Sequence, residues 1–301
     1  MIEQLISGLA KKSSFLLKGE FKELTNAAVA RDGHAVGLIN NKLYIFGGSR
    51  TSLNSVMEMY DIATKTWSVI TSVATPTPRH AVASCVLNNK LYVFGGSITA
   101  AWSPTAEAYV FDPANNTWTK LANMPLSLCL QTAVVIKGKI YVFGGFNGGS
   151  SVNNFLEYDP VTNGWRSISH SQVIQHGHSA VAVNDRMYVV GGVSGDILVK
   201  CTSYDPSNNT WTTLEPPPIG NTYSYIATLD SQIYLYGGSR NTDPTPHKRL
   251  FRFDVPGNSW SELPNGPVPM DWGCMVALED RLLLHGGRNS PALLNNLWEI
   301  T

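Results

Sequence analysis

Six times along the chain a short hydrophobic run, rich in β-branched and aromatic residues, ends in two glycines. The runs are LYIF before Gly47–Gly48, LYVF before Gly95–Gly96, IYVF before Gly144–Gly145, MYVV before Gly191–Gly192, IYLY before Gly237–Gly238 and LLLH before Gly286–Gly287. Successive first glycines lie 48, 49, 47, 46 and 49 residues apart. A short apolar run bounded by glycine predicts a strand, and a fixed period of this size predicts a repeated supersecondary unit. A second mark follows five of the pairs: MYDIATKTW (59–67), VFDPANNTW (110–118), EYDPVTNGW (157–165), SYDPSNNTW (203–211) and RFDVPGNSW (252–260). The Asp stands six residues before the Trp every time. Asp and Pro open a turn and Asn or Gly closes it, so each mark predicts a hairpin between two short strands.

The sixth copy ends early. After Gly286–Gly287 the chain reads NNLWEIT, which supplies a third strand but no fourth. Four of the tryptophans precede the next first glycine by 26 residues, and Phe21 precedes Gly47 by the same 26. Phe21 therefore takes the tryptophan position, and residues 20–25 are predicted to complete the last unit. The expectation is an all-β fold: a six-bladed β-propeller of four-stranded antiparallel blades, the last closed by an N-terminal outer strand. The six phased copies resemble the kelch family over residues 20–301. Residues 1–19 are expected to form an N-terminal tail, a short helix or a disordered segment. The glycine pairs read as structural devices for positive φ and close packing, since no helical pattern and no G-x-x-x-x-G-K-[ST] follows any of them.

Composition narrows the partners. The chain has 22 basic and 22 acidic residues, so no overall field recruits nucleic acid or an anionic membrane, and neither is expected as a partner. LISGLA is too short for a secretory signal, and no run of apolar residues is long enough to span a bilayer. Cys85, Cys129, Cys201 and Cys274 form no C-x-x-C pair, which fits reduced thiols and a cytoplasmic location. Two glycosylation sequons, at Asn115 and Asn208, coincide with the predicted hairpin turns and read as turn residues.

The repeated marks account for the core, so function is expected where the copies differ. The resemblance to kelch-like adaptor proteins implies ligand contacts in two loop positions at one mouth of the channel. The first lies about 13 to 16 residues ahead of each first glycine: Arg31, Asp32 and His34; Arg79 and His80; Gln131; His176 and His178; Tyr223; Asp271 and Trp272. The second follows each glycine pair: Ser49 and Arg50; Ser97; Phe146 and Asn147; Ser239 and Arg240; Arg288 and Asn289. Arginine forks pair with carboxylates and aromatic faces give rigid contact area, so this inventory points to an acidic peptide or another carboxylate ligand. Replacing Arg31, Arg79 and Arg288 together by Ala is expected to remove binding and leave the fold intact. His176-Gly-His178 has the spacing of a metal pair, but rim hydrogen bonding is the default reading, and no metal or cofactor is expected. The function these features imply is a protein-interaction module rather than an enzyme, with the enzymatic reading kept open as the alternative below. The resemblance adds a role as the substrate-recognition part of a ubiquitin-ligase adaptor. The alternative is a sugar-acid mutarotase or isomerase of the kelch-type sialic acid mutarotase class, which would need an enclosed pocket in place of an open basin.

Overall fold

The structure, a computed structural model, describes residues 16–49, 53–169, 174–240 and 245–301. Six four-stranded antiparallel sheets follow one another along the chain. Blade 1 (35–70) is built from Ala35–Ile39, Lys42–Phe46, Met57–Asp61 and Thr66–Ile70 in that order. Blades 2 to 5 (83–120, 132–167, 179–214 and 225–263) repeat the plan. Blade 6 takes Cys274–Ala277, Leu282–His285 and Leu297–Ile300 from the C-terminal end and Phe21–Glu23 from the N-terminal end. Phe21 pairs with Ile300, Lys22 with Glu299 and Glu23 with Trp298, so the predicted closing strand is present. The join extends further back. Leu17 is buried against blades 5 and 6, and the amides of Lys18 and Gly19 both donate to the Thr301 carbonyl, at 3.0 and 2.9 Å. The rest of the expected tail, residues 1–15, lies outside the described residues.

Each sequence mark does one structural job. The second strand of each blade is sandwiched between neighbouring blades, so four consecutive residues from Leu43 to Phe46, and their counterparts, are buried. The aromatic residue of each Tyr/Phe-Asp mark lies directly across the hairpin from the tryptophan: Tyr60 from Trp67, Tyr158 from Trp165, Phe253 from Trp260. Their ring centroids are 5.1, 4.9 and 4.9 Å apart. Three of these indoles reach back to the preceding blade, Trp67 Nε1 donating to Thr25 O at 2.7 Å, Trp165 Nε1 to Ala122 O at 2.9 Å and Trp260 Nε1 to Glu215 O at 2.9 Å. The Asp side chain closes the turn, as where Asp61 Oδ1 accepts from the amides of Ala63 and Thr64. Asn116, Asn163, Asn209 and Asn258 hold the left-handed position of that turn, with φ from 47° to 55°. That is why Asn recurs there and why the sequons fall on hairpins.

All twelve residues of the glycine pairs have positive φ, from 58° to 115°. The second glycine of every pair donates its amide to a loop carbonyl of the next blade: Gly48 to Arg79, Gly96 to Leu128, Gly145 to Gln175, Gly192 to Asn221, Gly238 to Met270 and Gly287 to Arg31, at 2.7–2.9 Å. A Cβ on Gly48 would sit 2.7 Å from the Asp32 carbonyl oxygen. The pairs are thus blade-to-blade seams. Inside, the innermost strands of all six blades line a central cavity of about 550 Å³.

Candidate functional site

The site is built from two loop families that meet at the end of the channel where the innermost strands begin. His80 bridges Ser97, Cys129 bridges Phe146, His176 bridges Val193, Thr222 bridges Ser239 and Asp271 bridges Arg288 through paired backbone contacts. In blade 1 the Ser49 amide donates to the Asp32 carbonyl at 2.8 Å. Beneath these bridges six residues in matching register, Gly33, Ala81, Leu130, Gly177, Tyr223 and Trp272, all adopt positive φ between 54° and 62°. Their backbones are linked from blade to blade. Leu130 N donates to Ala81 O, Gly177 N to Leu130 O, Tyr223 N to Gly177 O, Trp272 N to Tyr223 O and Gly33 N to Trp272 O, at 2.7–3.0 Å. This ring frames the mouth.

The arginines divide. Arg31 and Arg79 are fully buried and do not form the expected rim. Arg31 turns back along its own blade, where NH1 donates to Gly47 O at 2.8 Å and NH2 is ion-paired with buried Glu58. Arg79 does the same with Gly95 O at 3.3 Å and Glu107 at 2.9 Å, and Lys120 meets the other Glu107 oxygen at 2.7 Å. Both guanidinium groups brace the glycine turns and are committed to carboxylates of the protein itself. The expectation that their removal spares the fold is therefore corrected, because it would leave Glu58 buried without its cation. Arg288 is different. It is half-buried, its Nε donates to Asp271 Oδ1 at 3.0 Å, and its guanidinium lies 5.2 Å from the Trp272 ring centre. Asp271 also accepts from the Ser239 hydroxyl, and burial raises its carboxyl against the pull of both partners. Arg240 is half-buried, and Arg50 lies outside the described residues.

The half-exposed surface of the mouth is aromatic. Tyr223 and Trp272, neighbours on the backbone ring, stack at 3.9 Å with 20° between their planes. Trp102, from the loop after Gly95–Gly96, packs on Trp272 at 5.8 Å and on His80 at 4.9 Å. The result is a cap of three half-buried rings, Tyr223, Trp272 and Trp102, over the buried His80 ring, with Arg288 at its margin. Trp102 was not among the residues singled out from the sequence. Its loop is one of two long ones: Gly95 to Asp112 and Gly237 to Asp254 are each 17 residues, where Gly47 to Asp61 is 14.

Residues 33–238, more than half of the chain, match the KLHDC2/KLHL20/DRC7 Kelch-repeats domain, and residues 226–267 match the Kelch motif. The chain belongs to the kelch-repeat family. Among its kelch relatives, Spermatocyte protein spe-26 of Caenorhabditis elegans is 31% identical over 123 residues, covering 38% of this chain and 21% of that protein. Kelch-like protein terF of Aspergillus terreus is 25% identical over 144 residues, 43% of this chain and 31% of that protein. F-box/kelch-repeat protein At4g39560 of Arabidopsis thaliana is 41% identical over 51 residues, 17% of this chain and 19% of that protein. Each matched stretch spans less than a third of the relative's own length.

The remaining predicted positions of this kelch mouth serve mainly to hold the loops. Ser97 Oγ donates to Thr99 O at 2.8 Å, and Gln131 Nε2 donates to Phe94 O at 2.9 Å. Phe146 is half-buried 5.8 Å from the His176 ring, while Asn147 and Asn289 are exposed. The two histidines once paired by spacing point to different hydroxyls. His176 Nδ1 meets Ser151 Oγ at 2.7 Å and His178 Nε2 meets Thr132 Oγ1 at 2.9 Å. Burial lowers both, His178 to about 3. His34 instead joins two residues that the sequence reading passed over, Cys274 and His285. His34 Nε2 lies 3.0 Å from Cys274 Sγ and 3.2 Å from His285 Nδ1.

Proposed function

We propose that this kelch propeller is a protein-recognition module whose mouth takes a short partner segment on the aromatic cap. Kelch-repeat propellers are typical protein-interaction modules, and one observation carries the more specific reading. Tyr223 and Trp272 stack where the loops link from blade to blade, and Trp102 packs tilted on Trp272, so the three half-buried rings form a platform of the kind in which aromatic side chains contribute most to binding. The segment presents an apolar or aromatic side chain to Trp102 and Trp272. A carboxylate on it would meet Arg288 and Arg240, so a preference for acidic partners rests on those two and not on Arg31 or Arg79. The similarity to an F-box/kelch-repeat protein supports a role in presenting partners to a ubiquitin ligase, and four free thiols fit a cytoplasmic setting. The sugar-acid alternative draws no support from the cavity. Among the described residues that line it there is no arginine or lysine to hold a sugar carboxylate.

The test compares wild type with a Trp102→Ala/Trp272→Ala variant in affinity capture from native lysate, with circular dichroism and thermal melting as the check on folding. Partners held by the wild type are expected to be lost from the folded variant, since truncation of a central aromatic anchor costs about 2 kcal/mol or more. The same partners retained at the same affinity would remove the cap from the binding site.

A further inference from the structure

We propose that His34, Cys274 and His285 bind a thiophilic divalent transition metal, zinc or its chemical analogues, in the channel wall between blades 6 and 1. The site is distinct from the aromatic cap and independent of it. The three facing atoms, His34 Nε2, Cys274 Sγ and His285 Nδ1, all lie within 4.8 Å of one another. At metal–ligand bonds of about 2.0–2.3 Å, two donors on one tetrahedral zinc sit roughly 3.3–3.6 Å apart. The observed 3.0 and 3.2 Å separations need only a few tenths of an ångström of opening. One thiolate with two imidazoles suits zinc, cobalt or copper and disfavours calcium and magnesium, which take oxygen donors. His34 and Cys274 line the channel, so a fourth position is supplied by water or a small ligand from that side.

The repeat itself provides the internal comparison. His178 stands in blade 4 where His34 stands in blade 1, 13 residues before the first glycine of its pair. At the preceding blade, His178 meets Thr132 and Phe143, which match Cys274 and His285 in register. Two positions therefore change, Thr to Cys and Phe to His, and both changes add a metal-binding atom at the same point. His285 also breaks its own series, since the residue before each of the other glycine pairs is Phe46, Phe94, Phe143, Val190 or Tyr236. A hydrogen-bonded core does not explain the change well. Among the described residues His285 Nε2 is buried with no hydrogen-bond partner, a cost that phenylalanine would avoid. The nearby Arg31 charge is matched by Glu58. Binding displaces the Cys274 thiol proton to solvent, one per metal bound.

Titration of the reduced full chain with Co²⁺ alone reads the site directly. One equivalent is expected, with a sulfur-to-cobalt charge-transfer band and tetrahedral ligand-field bands that Zn²⁺ abolishes by competition. Cys274→Thr/His285→Phe installs the residues of blade 3. It is expected to remain folded, lose the sulfur band and weaken binding by about 100-fold or more, since even outer-shell losses cost 10–100-fold. The reciprocal Thr132→Cys/Phe143→His is expected to add a second equivalent with the same spectrum. A folded wild type with no sulfur–cobalt band, or a double variant with unchanged affinity, overturns the proposal. A third arm uses wild type only: Zn²⁺ is expected to protect Cys274 from iodoacetamide in peptide mapping, and equal labelling with and without Zn²⁺ also overturns it.

Discussion

Arg31 shows how much a single side chain's direction decides. Its position in the repeat was legible, because it stands 16 residues before Gly47 as Arg79 stands before Gly95. Its direction was not. A charged residue in a loop suggests solvent, but here the backbone carbonyl accepts the Gly287 amide while the side chain returns to Gly47 O and Glu58. The clue lay in the other copies. Leu128 and Met270 occupy the same register and are also buried, so the position belongs to the interior whichever residue fills it. Arg31→Ala is expected to lower unfolding free energy by about 3–5 kcal/mol, the cost of leaving a buried charge unpaired. Adding Glu58→Gln should recover a large part of the loss. Denaturant unfolding measures both, and an unchanged midpoint for the single variant would show that the pair contributes nothing to stability.

At the level of elements, the hairpins and seams were readable because each mark has one physical cause that recurs in the blades. Asp closes a turn, Trp packs on the aromatic residue across the hairpin, and the glycines supply a backbone state that other residues adopt poorly. The closing strand was readable for the same reason, since Phe21 keeps the spacing of a tryptophan. The loop that carries Trp102 has no such periodicity, and what matters in it is its excess length. Cutting three residues from the 98–104 segment, to match the blade 1 loop, is expected to withdraw Trp102 from Trp272. Partner affinity should then fall by at least tenfold while the melting temperature stays within a few degrees. Undiminished affinity would show that blade 2 contributes no contact to the mouth.

For the molecule as a whole, buried histidines tie stability to pH. Burial holds His34 and His247 below their ordinary value of 6.5, and His178 and His285 at about 3. In the unfolded chain these groups protonate near pH 6.5 while the folded ones stay neutral, so the unfolded state binds more protons as pH falls. Stability is therefore full above about pH 6.5 and declines below it, by up to about 1.4 kcal/mol per pH unit for each such histidine. Denaturation midpoints should be flat from pH 8 to 7 and drop between pH 6 and 5, with a shallower drop for His178→Gln. A midpoint independent of pH over that range would mean that these rings are solvated. The framed mouth has a consequence of another kind, for how the protein breathes. The amides of Gly33, Leu130, Gly177, Tyr223 and Trp272 sit in loops by secondary structure, yet each is handed to the neighbouring blade, so none can be released by fraying its own blade alone. Deuterium should reach them as slowly as it reaches the central strands, which makes five of the six steps around this rim a chain whose links open together or not at all.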